Sequence, residues 1–195
     1  MKVKIGFWVF VSILLICGGF SVSAQQNSAP ASIIWDHYAT GARNFIAGTI
    51  PDADITRIVQ AGIRAPSAAN RQPWRFTVVQ NAALAKKIVP QNMDGNVIIV
   101  ISAQGDGKTN GSQIFDCGLA IQSMYLAAQA MGYGSRIYTG PIDSLNKNLK
   151  TDLSLPDGSN AVALVRIGKV NANPPDAVSA ASSRKDAADL VTYKK

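Results

Sequence analysis

Val97-Ile98-Ile99-Val100-Ile101 restricts the fold of this chain more than any other stretch. Five successive β-branched side chains on a strand point alternately to its two faces, so both faces must be covered. A strand of this kind sits at the centre of a sheet with helices packed on it, and it is expected over residues 96–102. Residues 74–80, rich in aromatic and β-branched side chains, and the apolar run 161–168 read as further strands. Residues 187–193 read as a short strand or arm.

Helical patterns lie between them. Pro51-Asp52-Ala53-Asp54 opens a helix, with Asp52 as cap and Asp54 near the positive end of the dipole. Ile55, Ile58, Val59 and Ile63 recur at helical spacing and predict one buried face. Pro66 stops that helix. Residues 82–89 form a second helix with Lys86 and Lys87 outward, and residues 33–38 begin a short one. The strongest helix is expected over 114–131, with a stripe of Ile114, Phe115, Gly118, Leu119, Gln122, Tyr125 and Leu126. Its small residues, among them Gly118, Ala120 and Ala127, let another helix approach closely, and Gly132 and Gly134 end it. Strands separated by helices give an α+β fold, a mixed sheet with the long helix packed on it.

The length of 195 residues with 47% hydrophobic content suits one domain with a real core. A charged fraction of 16% argues against disorder, and two cysteines are too few for a disulfide-stapled miniprotein. Residues 1–24 read as a secretory signal peptide: Lys2 and Lys4, an apolar run over 5–16, then Val22-Ser23-Ala24 before the cut. An uncleaved anchor is the alternative, since residues 5–24 match the roughly 20 that span a bilayer. A lipoprotein cut at Cys17 fits less well, because Ile16 stands where a small side chain is wanted. Residues 25–195 are then one exported domain, periplasmic or extracellular, with no membrane attachment after cleavage. Loss of Lys2 and Lys4 takes the formal charge from +7 to +5 and leaves Cys117 as a lone thiol. That mild positive charge suits a phosphate-bearing ligand. It does not point to nucleic acid, because the Lys and Arg are scattered and not grouped with aromatics.

Most catalytic sets are missing. His37 is the sole histidine and has no partner at metal-ligand spacing. No Ser stands in a G-x-S-x-G elbow, and the acids are dispersed. Gly105-Asp106-Gly107-Lys108-Thr109 lacks Walker spacing and reads as a turn. An enzyme of this composition needs a cofactor to carry its chemistry. Ala65-Pro66-Ser67-Ala68-Ala69-Asn70-Arg71-Gln72-Pro73-Trp74-Arg75-Phe76 is where such a cofactor would be met. Its hydroxyl and amides could pair with a pyrimidine-like edge, or bond the loop's own backbone.

This segment resembles the A-P-S-x-x-N-x-Q-P-W-x-F motif of the nitroreductase family of FMN-dependent oxidoreductases. Arg64, Asp116-Cys117-Gly118, residues 126–134 and 162–168, and Ser183-Arg184-Lys185 look like further conserved regions of that family. The resemblance spans nearly all of the chain after the leader. It implies an FMN-binding homodimer with the long helix at its interface, working on small-molecule electron donors and acceptors. A reduced nicotinamide would reduce the flavin and a nitroaromatic or quinone would reoxidise it, in ping-pong order. An exported flavin-binding or electron-transfer module with little turnover is the alternative. By resemblance, Arg43 and Arg184 hold the FMN phosphate, the arginine fork being suited to its oxygens. Ser67, Ala68, Asn70 and Gln72 approach the flavin from the partner subunit. Thr139 and Gly140 lie beside its reactive nitrogen, with no catalytic side chain and no metal required. The family's usual R-R-S triplet is replaced by Ala39-Thr40-Gly41, which removes one cation and could weaken binding by about 1.5–3 kcal/mol. The loop before the long helix is too short for the helical lid that many family members carry.

Overall fold

The computed structural model describes residues 39–105, 110–171 and 184–194. In chain order the elements are β1 (Phe45–Ile46), α1 (Asp52–Ile63), a 3-10 turn (Ala68–Asn70), β2 (Arg75–Val79), α2 (Ala82–Ile88), β3 (Val97–Gln104), α3 (Gly111–Ala130), β4 (Gly134–Tyr138), α4 (Ile142–Asn148), β5 (Ser159–Val170) and α5 (Ala187–Leu190). The proposed leader, the helix at 33–38, His37 and nearly all of 171–183 lie outside the described residues.

The apolar run is as central as its sequence demands. Val97 to Ala103 are all buried. Odd and even positions feed two separate cores, as a period of two requires. Ile99 and Ile101 pack with Ile58, Ala120, Ile121 and Met124 beneath α1 and α3. Ile98 and Val100 pack with Ala85, Ile88 and Leu145 beneath α2 and α4. The layers are thus helices, sheet, helices. Helices α1 and α3 approach closely because Gly62 has no side chain; a Cβ there would stand 2.8 Å from Met124 Cγ.

The sheet differs from the expected mixed arrangement: among the described residues every pairing is antiparallel. The α3 crossover does leave β3 and β4 pointing the same way, as a helical crossover should. Strand β5 is inserted between them, with Ile99 and Ile137 both opposite Val165, so the two parallel strands never meet. Strand β2 lies at one edge and β4 pairs with the far side of β5.

Other expectations are corrected locally. Asp52 is the first helical residue and not the cap; its Oδ1 accepts from Gln80 Nε2 at 2.8 Å. Ile63, expected inside, is 49% exposed at the end of α1. Helix α3 begins at Gly111 with Asn110 Oδ1 accepting from Gln113 N at 3.3 Å, three residues before the expected start. Its buried face is Cys117, Ala120, Ile121, Met124 and Ala128, so most of the expected stripe lies elsewhere, with Phe115 66% exposed. Residues 187–190 are helical and not a strand. Strands β1 and β4 and helix α4 were not anticipated.

One buried charge ties the sheet to the start of the described chain. Arg166 on β5 is fully buried. Its Nε and Nη2 donate to Asn96 Oδ1 at 3.2 and 2.9 Å, and Nη1 lies 3.5 Å from the Ala42 carbonyl. The guanidinium stacks 4.0 Å from the centre of the Phe45 ring. Asn96 in turn donates to the Ile46 carbonyl at 2.9 Å. Asn96→Ala removes an acceptor used twice by a charged group, and is expected to lower unfolding free energy by about 1.5–3 kcal/mol. Urea denaturation checks this; a loss within experimental error would show that the guanidinium finds other acceptors.

Candidate cofactor site

Two groups of site residues can be built from these elements. The first lies along β4. Thr40 is fully buried. Its N–H donates to the Ser135 carbonyl at 3.2 Å, and its Oγ1 accepts from Ser135 N at 3.0 Å. Gly134 permits this contact, since a Cβ there would meet Thr40 Oγ1 at 2.9 Å. Arg136 Nη1 donates to the Thr40 carbonyl at 2.9 Å, and its guanidinium lies 5.5 Å from the Tyr138 ring centre. Arg166 holds the next carbonyl but one, at Ala42. Arg43 therefore stands on a turn pinned between two other arginines, with its own side chain exposed. Burial pushes the Arg166 guanidinium below its ordinary pKa; an arginine stays charged all the same. Thr139 and Gly140, exposed, continue β4 into α4. A Cβ on Gly140 would meet nothing within 4 Å, so the main chain there is open to a flat partner.

The second group is the loop 65–73. Ser67 Oγ accepts from Gln72 N at 3.0 Å, and Gln72 Nε2 donates to Asn70 Oδ1 at 3.1 Å. Ala69, Asn70 and Gln72 have φ of 50°, 54° and 47°. Three non-glycine residues in the left-handed region carry real strain, and such strain collects at ligand sites. What holds the loop in place is Asp116. It is 2% exposed, and its Oδ1 accepts from Ala68 N at 3.0 Å. Its Oδ2 is buried with no partner among the described residues. Burial, and then the Asp116 charge, push the neighbouring Cys117 thiol up to about 11, so this buried thiol is protonated at neutral pH and unsuited to nucleophilic work.

The two groups do not meet in one chain. Loop 65–73 leads into β2, while Arg43, Thr139 and Gly140 belong to the β4 side, with β3 and β5 between. Three strand spacings amount to about 14 Å. Arg184 is described and exposed beyond the end of β5. Among the described residues no three His, Cys, Asp or Glu side chains gather to hold a metal ion, and no helix is long and apolar enough to cross a membrane.

The pattern of the nitroreductase family matches residues 40–105 and 93–169. The chain belongs to the nitroreductase family. A protein of Archaeoglobus fulgidus, provisionally named an NADH dehydrogenase/NAD(P)H nitroreductase, is 32% identical over 129 residues, covering 61% of this chain and 74% of the relative. A nitroreductase-type structure from Desulfovibrio desulfuricans, solved in complex with FMN, is 25% identical with a TM-score of 0.69 and covers 87% of this chain and 98% of that one. A nitroreductase from Desulfitobacterium hafniense with bound FMN is 22% identical at a TM-score of 0.66, covering 86% and 99%, and supports the fold.

Arg136, Arg166 and Asp116 belong to the frame of the site although no local sequence signal marks them. Arg136 carried no motif, and only the pairing of β4 with Thr40 reveals it. Asp116 lies in a stretch that resembles a family block, but its bond to Ala68 spans 48 residues. For this nitroreductase-family chain, Asp116→Ala is expected to cost about 1–3 kcal/mol by orphaning Ala68 N. It should also speed proteolysis within 65–73, whereas Asp116→Asn, keeping an acceptor oxygen, should retain the wild-type digestion pattern. Equal digestion of wild type and the alanine variant would show that the loop is held by other contacts.

Proposed function

We propose that this chain is an FMN-dependent oxidoreductase acting as a two-fold homodimer. It passes electrons from a reduced nicotinamide to nitroaromatic or quinone-type acceptors in ping-pong order. Family membership carries this reading. FMN, when bound, supplies the redox chemistry; the residues of the chain bind and orient it. Arg43 and Arg184 bind its phosphate, and Arg136 supplies the positive charge that Ala39 lacks. Their planar forks suit phosphate oxygens, and Arg136 is already held against Thr40. The open backbone at Thr139 and Gly140 receives the ring edge. Ser67, Ala68, Asn70 and Gln72 complete the site from the partner subunit.

The separation of loop 65–73 from the β4 side supports the dimer, since a second copy can bring the two groups together. So does the outward face of α3. Phe115 and Gly118 are exposed, and Ile114, Leu119 and Leu126 are half-buried, although the opposite face of the same helix already fills the core. Leu190, Val191 and Tyr193 also leave apolar surface in water. A two-fold axis would make both interfaces and both sites equivalent. Residues 1–24 support export.

An exported flavin-binding module with little turnover is favoured by one observation: the Thr40 hydroxyl is used inside the fold, so the depleted triplet adds little to phosphate binding. An anaerobic spectrum separates the readings. A yellow protein bleached by NADH or NADPH and restored by a nitro compound or quinone is the expected result. A yellow protein that neither nicotinamide bleaches selects the module, and a colourless one that takes up no FMN overturns both.

Arg136→Gln and Arg184→Ala should each raise the FMN dissociation constant about ten- to a hundredfold, the loss of one charge-assisted bond; fluorescence titration measures it. Light scattering should give twice the chain mass for wild type and the single chain mass for Phe115→Glu. A flavin-loaded wild-type monomer would contradict the dimer.

A further inference from the structure

A cavity of about 320 Å³ opens at the end of the sheet where β2 and β5 begin and β3 stops. Arg71, Gln72, Arg75, Gln104, Gln113 and Ser159 line it. None of the β4-side residues does. The volume is at the small end of ligand pockets. Among the described residues no acidic side chain lines it, whereas Arg71 and Arg75 do.

Those two arginines are anchored but not neutralised by any described side chain. Arg75 Nη1 donates to the Trp74 carbonyl at 2.7 Å, and Arg71 Nη2 lies 3.5 Å from Ser112 Oγ. Each fork keeps further N–H donors. The ion pairs among the described residues are Lys86–Asp94 and Lys87–Asp152, neither of which touches this cavity. Two cations in a recess with no acid among its described lining attract an oxyanion, and the planar fork favours carboxylate or phosphate. Gln113 adds a second requirement. Its Oε1 is buried and has no hydrogen-bond partner among the described residues. A buried acceptor left unmade is costly, so the occupant should carry an O–H or N–H near its anionic group. Gln104 is turned elsewhere, with its Nε2 donating to the Asp157 carbonyl at 3.3 Å.

Gln72 joins this cavity to Asn70, with Gln72 Nε2 donating to Asn70 Oδ1. Resting on the flavin site proposed above, we infer that the cavity is an anion-binding subsite for the reactants. It holds the carboxylate or phosphate of a small molecule whose remainder reaches the flavin served by loop 65–73. The chain therefore prefers anionic donors or acceptors to neutral ones of the same shape.

Calorimetric titration of the full-length purified protein tests this without turnover. The probes are 2-amino-4-nitrobenzoate for a carboxylated acceptor with an N–H beside its anionic group, adenosine 2′-phosphate for a phosphorylated donor, and neutral 2-amino-4-nitrobenzyl alcohol. In Arg71→Gln/Arg75→Gln at least one anion should bind about tenfold or more weakly than in wild type, with the alcohol unchanged; which anion responds tells acceptor from donor. Arg71→Lys/Arg75→Lys should recover part of the loss, as it keeps both charges. Equal binding of both anions by wild type and the glutamine variant, or an equal loss for the alcohol, overturns the subsite. Anion binding as expected in a protein that reduces no nitro compound or quinone leaves the subsite standing and overturns the proposed activity.

Discussion

The frame of this structure depends on burying the Arg166 guanidinium at the middle of its longest strand. A buried charge costs several kcal/mol unless its hydrogen bonds are met. Here there is no carboxylate to meet them among the bonds it makes. Asn96 Oδ1 accepts two, the Ala42 carbonyl is drawn in, and the Phe45 ring covers the face. Each acceptor comes from a different part of the chain, so satisfying one side chain fixes three segments at once. A consequence is that the segment 40–45 runs from β4, where the Thr40 backbone and hydroxyl complete the pairing of Ser135, to β5, where Phe45 stands opposite Val170. Arg43 owes its place to this, not to any local helix or strand of its own.

Helix α3 is the second constraint. Apolar or small on nearly every side, it buries Cys117, Ala120 and Met124 inward and still carries Phe115 and Leu119 outward. A surface helix should show one apolar stripe; two opposed ones imply two neighbours. The first neighbour is the sheet with α1. The second is supplied in the proposed dimer, which also closes the gap between the loop 65–73 and the β4 side. Asp116 at the start of this helix links the two roles, since the residue that begins the core-facing side also holds Ala68.

The legible parts of the sequence were those with an uncompromised period. Val97–Ile101 has no other solution than a central strand, and the face of α1 from Ile55 to Ile58 was plain. Strand β4 was hidden because Gly134-Ser135-Arg136 shows no apolar alternation; it exists through partners at Thr40 and on β5. The buried face of α3 differs from the expected stripe because a helix that is apolar or small on most sides gives little phase. In the loop 65–73 the residues alone allowed self-bonding or ligand pairing. The self-bonds are present, at Ser67–Gln72 and Gln72–Asn70, and the three left-handed residues could not be foreseen without a glycine to mark them. Arg43 and Gly140 were legible through family resemblance and not through chemistry. Arg136 and Arg166 act through contacts that span 96 and 124 residues, beyond what local spacing can reveal.

In the proposed dimer, segments far apart in the chain close on one flavin. Hydrogen–deuterium exchange of the protein with and without FMN tests it most directly. Added protection is expected in three stretches, 39–45, 65–73 and 134–140, with the core of β3 unchanged. FMN binding that leaves both 39–45 and 134–140 at their unliganded exchange rates would contradict it.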